Sequence, residues 1–302
     1  MGVNDFFEGT LEITTNVLKK GCTVACKICP QELLVNSYHP LQNINLLSFE
    51  AFVTMLNKVP KTYRIDFAGY TEPFLNKDCI KMMKHATDAG YRICCYTTLV
   101  GASLEDVEVL AKLPFSQAYC CPLVIHLPDK NEVMPIKITK KYREVLERFV
   151  ALTKDLPSVG FMTMDASGDV HPDLYDLVGK LRGFQPISRA DSLDNSKNID
   201  RVSGKDPDDE PRPRKNITRL NGRIRCKPMP KLNHNMLMPN GNIQLCCMDY
   251  GLKHTLGNLL KSDHASLFQS DVFKEIQRSM LNDPGESSDD ILCRNCELAQ
   301  PC

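Results

Sequence analysis

The decapeptide GCTVACKICP, residues 21–30, spaces Cys22, Cys26 and Cys29 as Cys-x3-Cys-x2-Cys. Three thiolates at this spacing suit three irons of a [4Fe–4S] cluster and leave the fourth iron open, whereas four cysteines close a cluster for electron transfer. Zinc usually takes four protein ligands in a structural site, and the sequence offers no fourth Cys or His nearby. Disulfides are disfavoured because the 302-residue chain lacks a secretion signal. Three buried structural thiols are the remaining alternative, and that alternative leaves the spacing to chance.

Strand-like and helix-like segments alternate on both sides of the decapeptide. The expected strands are residues 11–15, 64–68, 92–97, 117–126, 159–164 and 184–188, and the expected helices are 48–58, 78–89, 104–111, 138–153 and 172–181. This alternation predicts βαβ units and a parallel sheet, and six units fit an α/β fold with a partial (β/α)6 barrel. Loops at the carboxyl ends of parallel strands carry the chemistry of such folds, and the decapeptide follows the first strand.

A second set of cysteines lies in the C-terminal part of the chain, and its members are Cys226, Cys246, Cys293 and Cys296. Between its halves, the Asn-Gly pair of PNGN (239–242) predicts a hairpin of strands 234–238 and 243–247, and a helix is expected at 271–280. Four cysteines in two halves suit either an iron–sulfur cluster or a structural zinc ribbon.

A polar, charged and proline-containing stretch separates the two parts of the chain. We therefore expect a barrel over residues 1–190, a linker or long loop over 191–225, and a small β-hairpin-plus-helix cluster-binding domain over 226–302.

The N-terminal triad resembles the signature of the radical S-adenosylmethionine (SAM) enzymes. Residues 67–73, FAGYTEP, are similar to the Gly-Gly-Glu-Pro segment of that family, with Tyr70-Thr71 where the second Gly usually stands. The run from Cys226 through GNIQLC to CRNC resembles the auxiliary-cluster domains of the family, of which SPASM holds two clusters and twitch holds one. The resemblance implies a six-unit barrel, an open-site [4Fe–4S] cluster with bound SAM, and an auxiliary [4Fe–4S] cluster.

The resemblance also assigns the metal ligands. The SAM cluster would take Cys22, Cys26 and Cys29, and the auxiliary cluster would take Cys226, Cys246, Cys293 and Cys296. Ligands for two complete auxiliary clusters are missing, so a single cluster of the twitch type is expected. Cys302 would then be a spare or a substitute ligand, and Cys247 could take the place of its neighbour Cys246.

Residues after the second and third strands match the SAM-binding positions of the family. Glu72 would bind the SAM amino group, Gly69 and Pro73 belong to the same segment, and Thr97 would line the adenosine pocket. An ordinary strand-to-loop turn is the alternative for this segment.

Two later strand ends match further positions. His126 and Asp129 follow the fourth strand, where relatives place ribose or substrate contacts, and Arg189 in a Ser-Arg-Ala segment would pair with the SAM carboxylate. For these residues and for Asp165, a solvated loop position is an equal alternative.

The expected reaction follows from the resemblance. SAM would be cleaved to a 5′-deoxyadenosyl radical that takes a hydrogen atom from an alcohol or similar carbon of a small polar metabolite, such as an amino sugar or cyclitol. The auxiliary cluster would accept the remaining electron. The alternatives are an epimerase with Cys247 or Cys302 as hydrogen donor, a maturase of ribosomal peptides, and a non-catalytic Fe–S or zinc binding module. The peptide alternative is weakened because only about ten residues precede the first strand, which leaves no space for a leader-binding domain.

Composition limits the partners. The net charge is zero, which disfavours a nucleic-acid surface, and an apolar run long enough for a membrane span is absent from the sequence. A cytoplasmic enzyme is therefore expected, with a small-molecule or peptide substrate and an electron donor of the flavodoxin or ferredoxin class.

Overall fold

The computed structural model describes residues 8–41, 43–115, 122–164, 168–178, 219–281, 291–296 and 298–302. Its strands are β1 Gly9–Ile13, β2 Tyr63–Phe67, β3 Arg92–Thr97, β4 Leu123–His126, β5 Val159–Met162, β6 Ile224–Cys226, β7 His234–Leu237, β8 Asn242–Gln244, β9 Thr255–Asn258 and β10 Ala299–Pro301. Its helices are α1 Gln31–Tyr38, α2 Phe49–Leu56, α3 Cys79–Asp88, α4 Leu104–Leu110, α5 Lys140–Thr153, α6 Tyr175–Val178, α7 His264–Leu267 and α8 Asp271–Leu281. None of the helices in these ranges has the length and apolar character that crossing a membrane requires.

Most of these strands form one sheet in the order β5-β4-β3-β2-β1-β7-β8-β9. The strands β1 to β5 pair in parallel, with α2, α3, α4 and α5 between them, as in successive βαβ units. The predicted α/β fold with a parallel sheet is confirmed, and the strands described form an open sheet without closing into a ring. The expected sixth strand, residues 184–188, lies outside the described residues.

Side chains of the parallel strands alternate between two faces. On one face, Ile65 and Phe67 of β2 are fully buried, and Phe67 packs against Phe52 of α2 with ring centroids 5.9 Å apart. On the other face, Arg64 and Asp66 line an interior cavity. The apolar face therefore packs on the helices, and the polar face is left to the cavity.

The C-terminal hairpin continues this sheet. The strand β7 pairs in parallel with β1, and β8 then pairs antiparallel with β7 around a turn at Gly241, whose φ is +88°. The hairpin predicted from Asn240-Gly241 is therefore present, and it borders the strand that precedes the cysteine triad.

A second buried cluster joins the two cysteine regions. Its core includes Leu34 of α1, Tyr70 after β2, Met236 of β7 and Tyr250 after β8, and Cys29 and Cys247 pack against it. Burial of these apolar surfaces therefore fixes the loop after β8 against the triad loop.

Gly69 is a position where the backbone leaves no space for a side chain. Its φ is +59°, and a Cβ there would lie 2.7 Å from both the Ile13 carbonyl oxygen and the Thr14 Cα. We predict that Gly69→Ala lowers the free energy of unfolding by about 2–3 kcal/mol, because left-handed strain and a backbone clash add.

Gly90→Ala is the matched control, because Gly90 has a φ of +86° and open space at its Cβ position. Gly90→Ala should lower the free energy of unfolding by about 1 kcal/mol, because only the backbone strain acts there. Chemical denaturation of both variants checks the difference, and equal losses would contradict the close approach at Gly69.

Candidate active site

The triad and the predicted SAM-contacting segments meet at one cavity of about 470 Å³. The predicted residues that line it are Cys22, Cys26, Cys29, Gly69, Glu72, Pro73, Thr97, His126 and Cys247. The segments that contribute follow β1, β2 and β3 or end β4, so the cavity lies where parallel strands place their functional loops.

Three other predicted residues, Asp129, Asp165 and Arg189, are not among the described residues that line this cavity. Asp129 is fully buried and accepts hydrogen bonds from the backbone N–H groups of Val133 and Met134 at 2.8 and 2.9 Å. It therefore holds the loop after β4 in shape. Arg189 and Asp165 lie outside the described residues.

The triad loop turns tightly, with the Cys29 N–H donating to the Cys26 carbonyl at 3.0 Å. Burial raises the pKa of Cys22 to about 11 and raises that of Cys26 well above its ordinary value, and the neighbouring thiols add to both shifts. Half-buried thiols that would repel each other as thiolates are stabilised when cations replace their protons. With an open cavity on one side, this donor set fits a cluster held by three protein ligands.

Gln31 organises the triad and was missed from the sequence. Its Oε1 accepts from the Cys22 N–H at 3.0 Å, and its Nε2 lies 3.2 Å from Cys29 Sγ and 2.7 Å from the Tyr70 carbonyl oxygen. Gln31 follows the decapeptide directly and begins α1, so its amide reaches back over the loop.

Glu72 is held by the third strand. Its carboxylate accepts from the Thr97 hydroxyl at 2.5 Å and from both the N–H and the hydroxyl of Thr98 at 2.7 Å. Burial raises the pKa of Glu72, and these hydrogen bonds oppose that shift. The Glu72 N–H also points at Cys22 Sγ at 3.4 Å, so the segment touches both the cavity and the triad.

A buried ion pair, Arg64–Asp66, and a half-buried pair, His234–Glu12, form one wall of the cavity, which we call the polar wall. The Arg64 guanidinium donates two hydrogen bonds of 2.5 Å to the Asp66 carboxylate. His234 Nε2 lies 2.5 Å from Glu12 Oε1. Glu12 raises the pKa of His234 against the effect of burial, and burial raises the pKa of Asp66. Although the two carboxylates and the imidazole come within 4.8 Å of one another, each already has a charged partner, which favours a polar binding wall over a cation site.

The polar wall was not predicted from the sequence, although the pattern of charged residues in β1 and β2 indicates it. Parallel strands buried on both faces read as nearly continuous apolar runs. Here Glu12 interrupts β1, and Arg64 and Asp66 alternate with apolar residues in β2. Charges at every second position of parallel strands indicate a polar interior.

The second cysteine set also converges. Cys226, Cys246, Cys293 and Cys296 line a separate small cavity with apolar walls. Antiparallel pairing of β6 with β10 brings Cys226 opposite Ala299, and the buried Arg294 donates to the Leu220 and Gly222 carbonyls at 3.0 Å. The two halves of the set are thereby held together.

Burial raises the pKa of each of three thiols in this set: Cys226 to about 11, Cys293 to about 12, and Cys246 well above its ordinary value. Neighbouring cysteines add to each shift, because thiolates close to one another repel. The four cysteines therefore fit a buried metal cluster by the same electrostatic argument as the triad.

Adjacent cysteines face different sites. Cys246 lines the second cavity and Cys247 lines the first, so the geometry favours Cys246 as the auxiliary ligand. Cys302 is exposed after β10, donates its N–H to the Arg223 carbonyl, and does not line either cavity. The position of Cys302 therefore does not support its predicted role as a hydrogen donor.

Comparisons with known proteins address both regions. The SPASM model of an iron–sulfur cluster-binding domain matches residues 226–297. The crystal structure of BtrN in complex with AdoMet and 2-DOIA aligns with a TM-score of 0.56 and 15% identity, covering 96% of this chain and 92% of BtrN. The chain has the radical SAM fold and carries a SPASM domain.

Two further structures align along the chain. BtrN in an open conformation gives a TM-score of 0.54 at 15% identity, with 97% of this chain and 94% of BtrN covered. The enzyme anSMEcpe with bound AdoMet and Cp18Cys peptide gives 0.48 at 14% identity, with 95% and 86% covered. No curated protein sequence matches the chain. The fold predicted from the resemblance is confirmed, and the SPASM match supports the predicted auxiliary iron–sulfur cluster. SAM and a [4Fe–4S] cluster on the triad stay predictions.

Tyr70 explains the departure of this chain from the Gly-Gly-Glu-Pro pattern of the radical SAM family. Its hydroxyl lies 2.8 Å from the Cys246 carbonyl oxygen and 3.1 Å from that of Asp249. A glycine at this position would lack that contact, so Tyr70 ties the segment that is predicted to bind SAM to the SPASM loop.

Because Cys246 and Cys247 line different cavities, we predict that their alanine variants differ in iron content. After anaerobic reconstitution, the wild type should hold about eight irons, Cys246→Ala about four, and Cys247→Ala about eight. Iron and sulfide analysis checks this expectation. If Cys246→Ala keeps its iron and Cys247→Ala loses iron, Cys247 and not Cys246 is the auxiliary ligand.

Proposed function

We propose that this protein is a radical SAM oxidoreductase that oxidises an alcohol or similar carbon of a small polar metabolite. The observation that carries the proposal is a single cavity bounded by the cysteine triad and by the polar wall. One member of that wall, His234, also lines the cavity of the second cysteine set. The substrate site thus adjoins both places where clusters are expected.

When bound, the cofactors supply a hydrogen-abstracting radical from SAM at the triad and an electron acceptor at the second cysteine set. The chain orients the reactants and keeps water out. Glu72, fixed by Thr97 and Thr98, presents a carboxylate where the family binds the SAM amino group. His126 lies at the end of β4 on the same cavity.

The polar wall favours a substrate with several hydroxyl or amino groups. Its four charged groups sum to neutrality when His234 is protonated, so it offers donors and acceptors without a strong net field. Such a wall suits an amino sugar or cyclitol better than an apolar side chain. BtrN, which has the same fold, binds 2-DOIA in its crystal structure, and that molecule is the natural first probe.

Oxidation of an alcohol to a carbonyl removes a hydrogen atom, an electron and a proton. The first two go to the radical and to the auxiliary cluster, and the proton needs an acceptor in the protein. We assign the proton to His234 in its neutral form, because Glu12 Oε1, 2.5 Å from its Nε2, would stabilise the imidazolium that forms. Once His234 has taken up the proton, the charges of the wall sum to zero. An electron donor of the flavodoxin or ferredoxin class would reduce the triad cluster.

The test is anaerobic turnover with SAM, dithionite and either 2-DOIA or a panel of amino cyclitols and amino sugars. Wild type should form 5′-deoxyadenosine and a carbonyl product in equal amounts. The Cys22/Cys26/Cys29 triple alanine variant should form neither, because it lacks the ligands of the first cluster.

Cys302→Ala is the matched control, since it removes an exposed thiol outside both cavities. It should behave as wild type. Absence of 5′-deoxyadenosine from iron-loaded wild type would overturn the proposal and favour a binding module.

The position of Cys247 on the first cavity supports a second candidate, an epimerase. Its S–H would return a hydrogen atom to the substrate radical, and the resulting thiyl radical would take an electron from the external donor and a proton from solvent. In D₂O an epimerase places one deuterium on the inverted carbon, and Cys247→Ala abolishes the inversion while 5′-deoxyadenosine still forms. The oxidoreductase instead yields a carbonyl product and tolerates Cys247→Ala.

A further inference from the structure

Tyr250 brings a hydroxyl from the SPASM domain to the cysteine triad. Its oxygen lies 3.3 Å from Cys29 Sγ, and the ring is 4% exposed. These two residues are 221 positions apart in the chain. The contact therefore depends on the docking of the loop after β8.

The direction of this hydrogen bond follows from the chemistry of the ligand. A cysteine that binds iron has lost its proton, so its sulfur can only accept. The hydroxyl of Tyr250 must then donate, as the Gln31 amide does at 3.2 Å from the same sulfur. Donors to a cluster sulfur withdraw charge from the thiolate and stabilise the reduced cluster, which raises its reduction potential.

Tyr250 is held for this contact by a second tyrosine. The rings of Tyr70 and Tyr250 are 4.6 Å apart at an interplanar angle of 66°, an edge-to-face arrangement. Tyr70 is itself anchored to the Cys246 carbonyl oxygen at 2.8 Å. The hydroxyl is thus positioned by packing that links the SAM-binding segment to the auxiliary-cluster loop.

We propose that Tyr250 is a positioning residue that raises the reduction potential of the cluster on Cys22, Cys26 and Cys29 through a hydrogen bond to Cys29 Sγ. This inference rests on the proposed function only in requiring that cluster, and it is independent of the substrate. Through Tyr250, the SPASM domain acts on the SAM cluster as well as holding its own.

Potentiometric titration of the reconstituted holoprotein, followed by electron paramagnetic resonance, tests the proposal. The signal that changes on SAM addition identifies the triad cluster. Tyr250→Phe keeps the ring and removes only the hydroxyl, so the midpoint of that signal should shift to a more negative potential. The midpoint of the auxiliary cluster should not move.

Tyr91→Phe is the matched control. Tyr91 is a buried tyrosine whose hydroxyl bonds to the carbonyl oxygens of Leu56 and Val59, each at 2.7 Å, and it does not line the cavity. Removal of the Tyr91 hydroxyl should leave the midpoint potentials of both clusters unchanged. An unchanged midpoint in Tyr250→Phe with intact iron content would overturn the inference.

A second measurement needs no variant and covers the case in which Tyr250→Phe loses its cluster. Electron–nuclear double resonance of the reduced cluster, in wild-type protein made with tyrosine that carries ¹⁷O in its hydroxyl group, should show a coupling to ¹⁷O. The Gln31 amide, the other donor to Cys29 Sγ, carries no label and cannot give this coupling. Absence of the ¹⁷O coupling would overturn the inference.

The outcomes separate this inference from the proposed function. If the triple alanine variant at Cys22, Cys26 and Cys29 keeps all the iron of the wild type, the triad holds no cluster and the proposed function fails. If the triad cluster forms and responds to SAM but its midpoint ignores Tyr250→Phe, only the inference about Tyr250 fails.

Discussion

Parallel pairing of β7 with β1 is the constraint on which the site depends. It sets Thr10 opposite His234 and Glu12 opposite Met236, so residues from the two ends of the chain share one sheet. Because side chains alternate along a strand, a slip of one residue would turn His234 away from Glu12 and out of the cavity. The same pairing holds the loop after β8 close to the triad, which follows β1. Cavity, triad and SPASM loop are therefore positioned by one register.

The polar wall has an energetic consequence. The Arg64 and Asp66 side chains are 8% and 3% exposed, and removal of two charges from water costs more free energy than their attraction usually returns. An apolar pair of similar volume would give a more stable sheet. Placing such a pair on the cavity face of β2 therefore favours binding chemistry over stability, whereas Ile65 and Phe67 on the other face supply the packing.

Much of the fold and part of the site could be predicted from the sequence, and the limits have physical reasons. Local spacing reveals the triad, and the Asn-Gly turn reveals the hairpin, because both signals lie within a few residues. The choice between Cys246 and Cys247 depends on which way each side chain faces, which adjacent positions cannot encode. The hydrogen bond between Tyr250 and Cys29 joins residues 221 positions apart, so the spacing of residues in the sequence cannot predict it. Arg189 and the linker expected at 191–225 stay predictions, since Arg189 and residues 191–218 of the linker lie outside the described residues.

The dipeptide Cys246-Cys247 connects the two sites more closely than a linker between domains would. The Cys246 side chain lines the cavity of the second cysteine set, and its carbonyl oxygen accepts a hydrogen bond from the Tyr70 hydroxyl. The Cys247 side chain lines the cavity of the triad. A cluster held by Cys246 would anchor the loop that carries these residues. The same loop presents Tyr250 to Cys29, and it cannot shift without disturbing that contact. One short segment therefore connects the predicted auxiliary site to the triad.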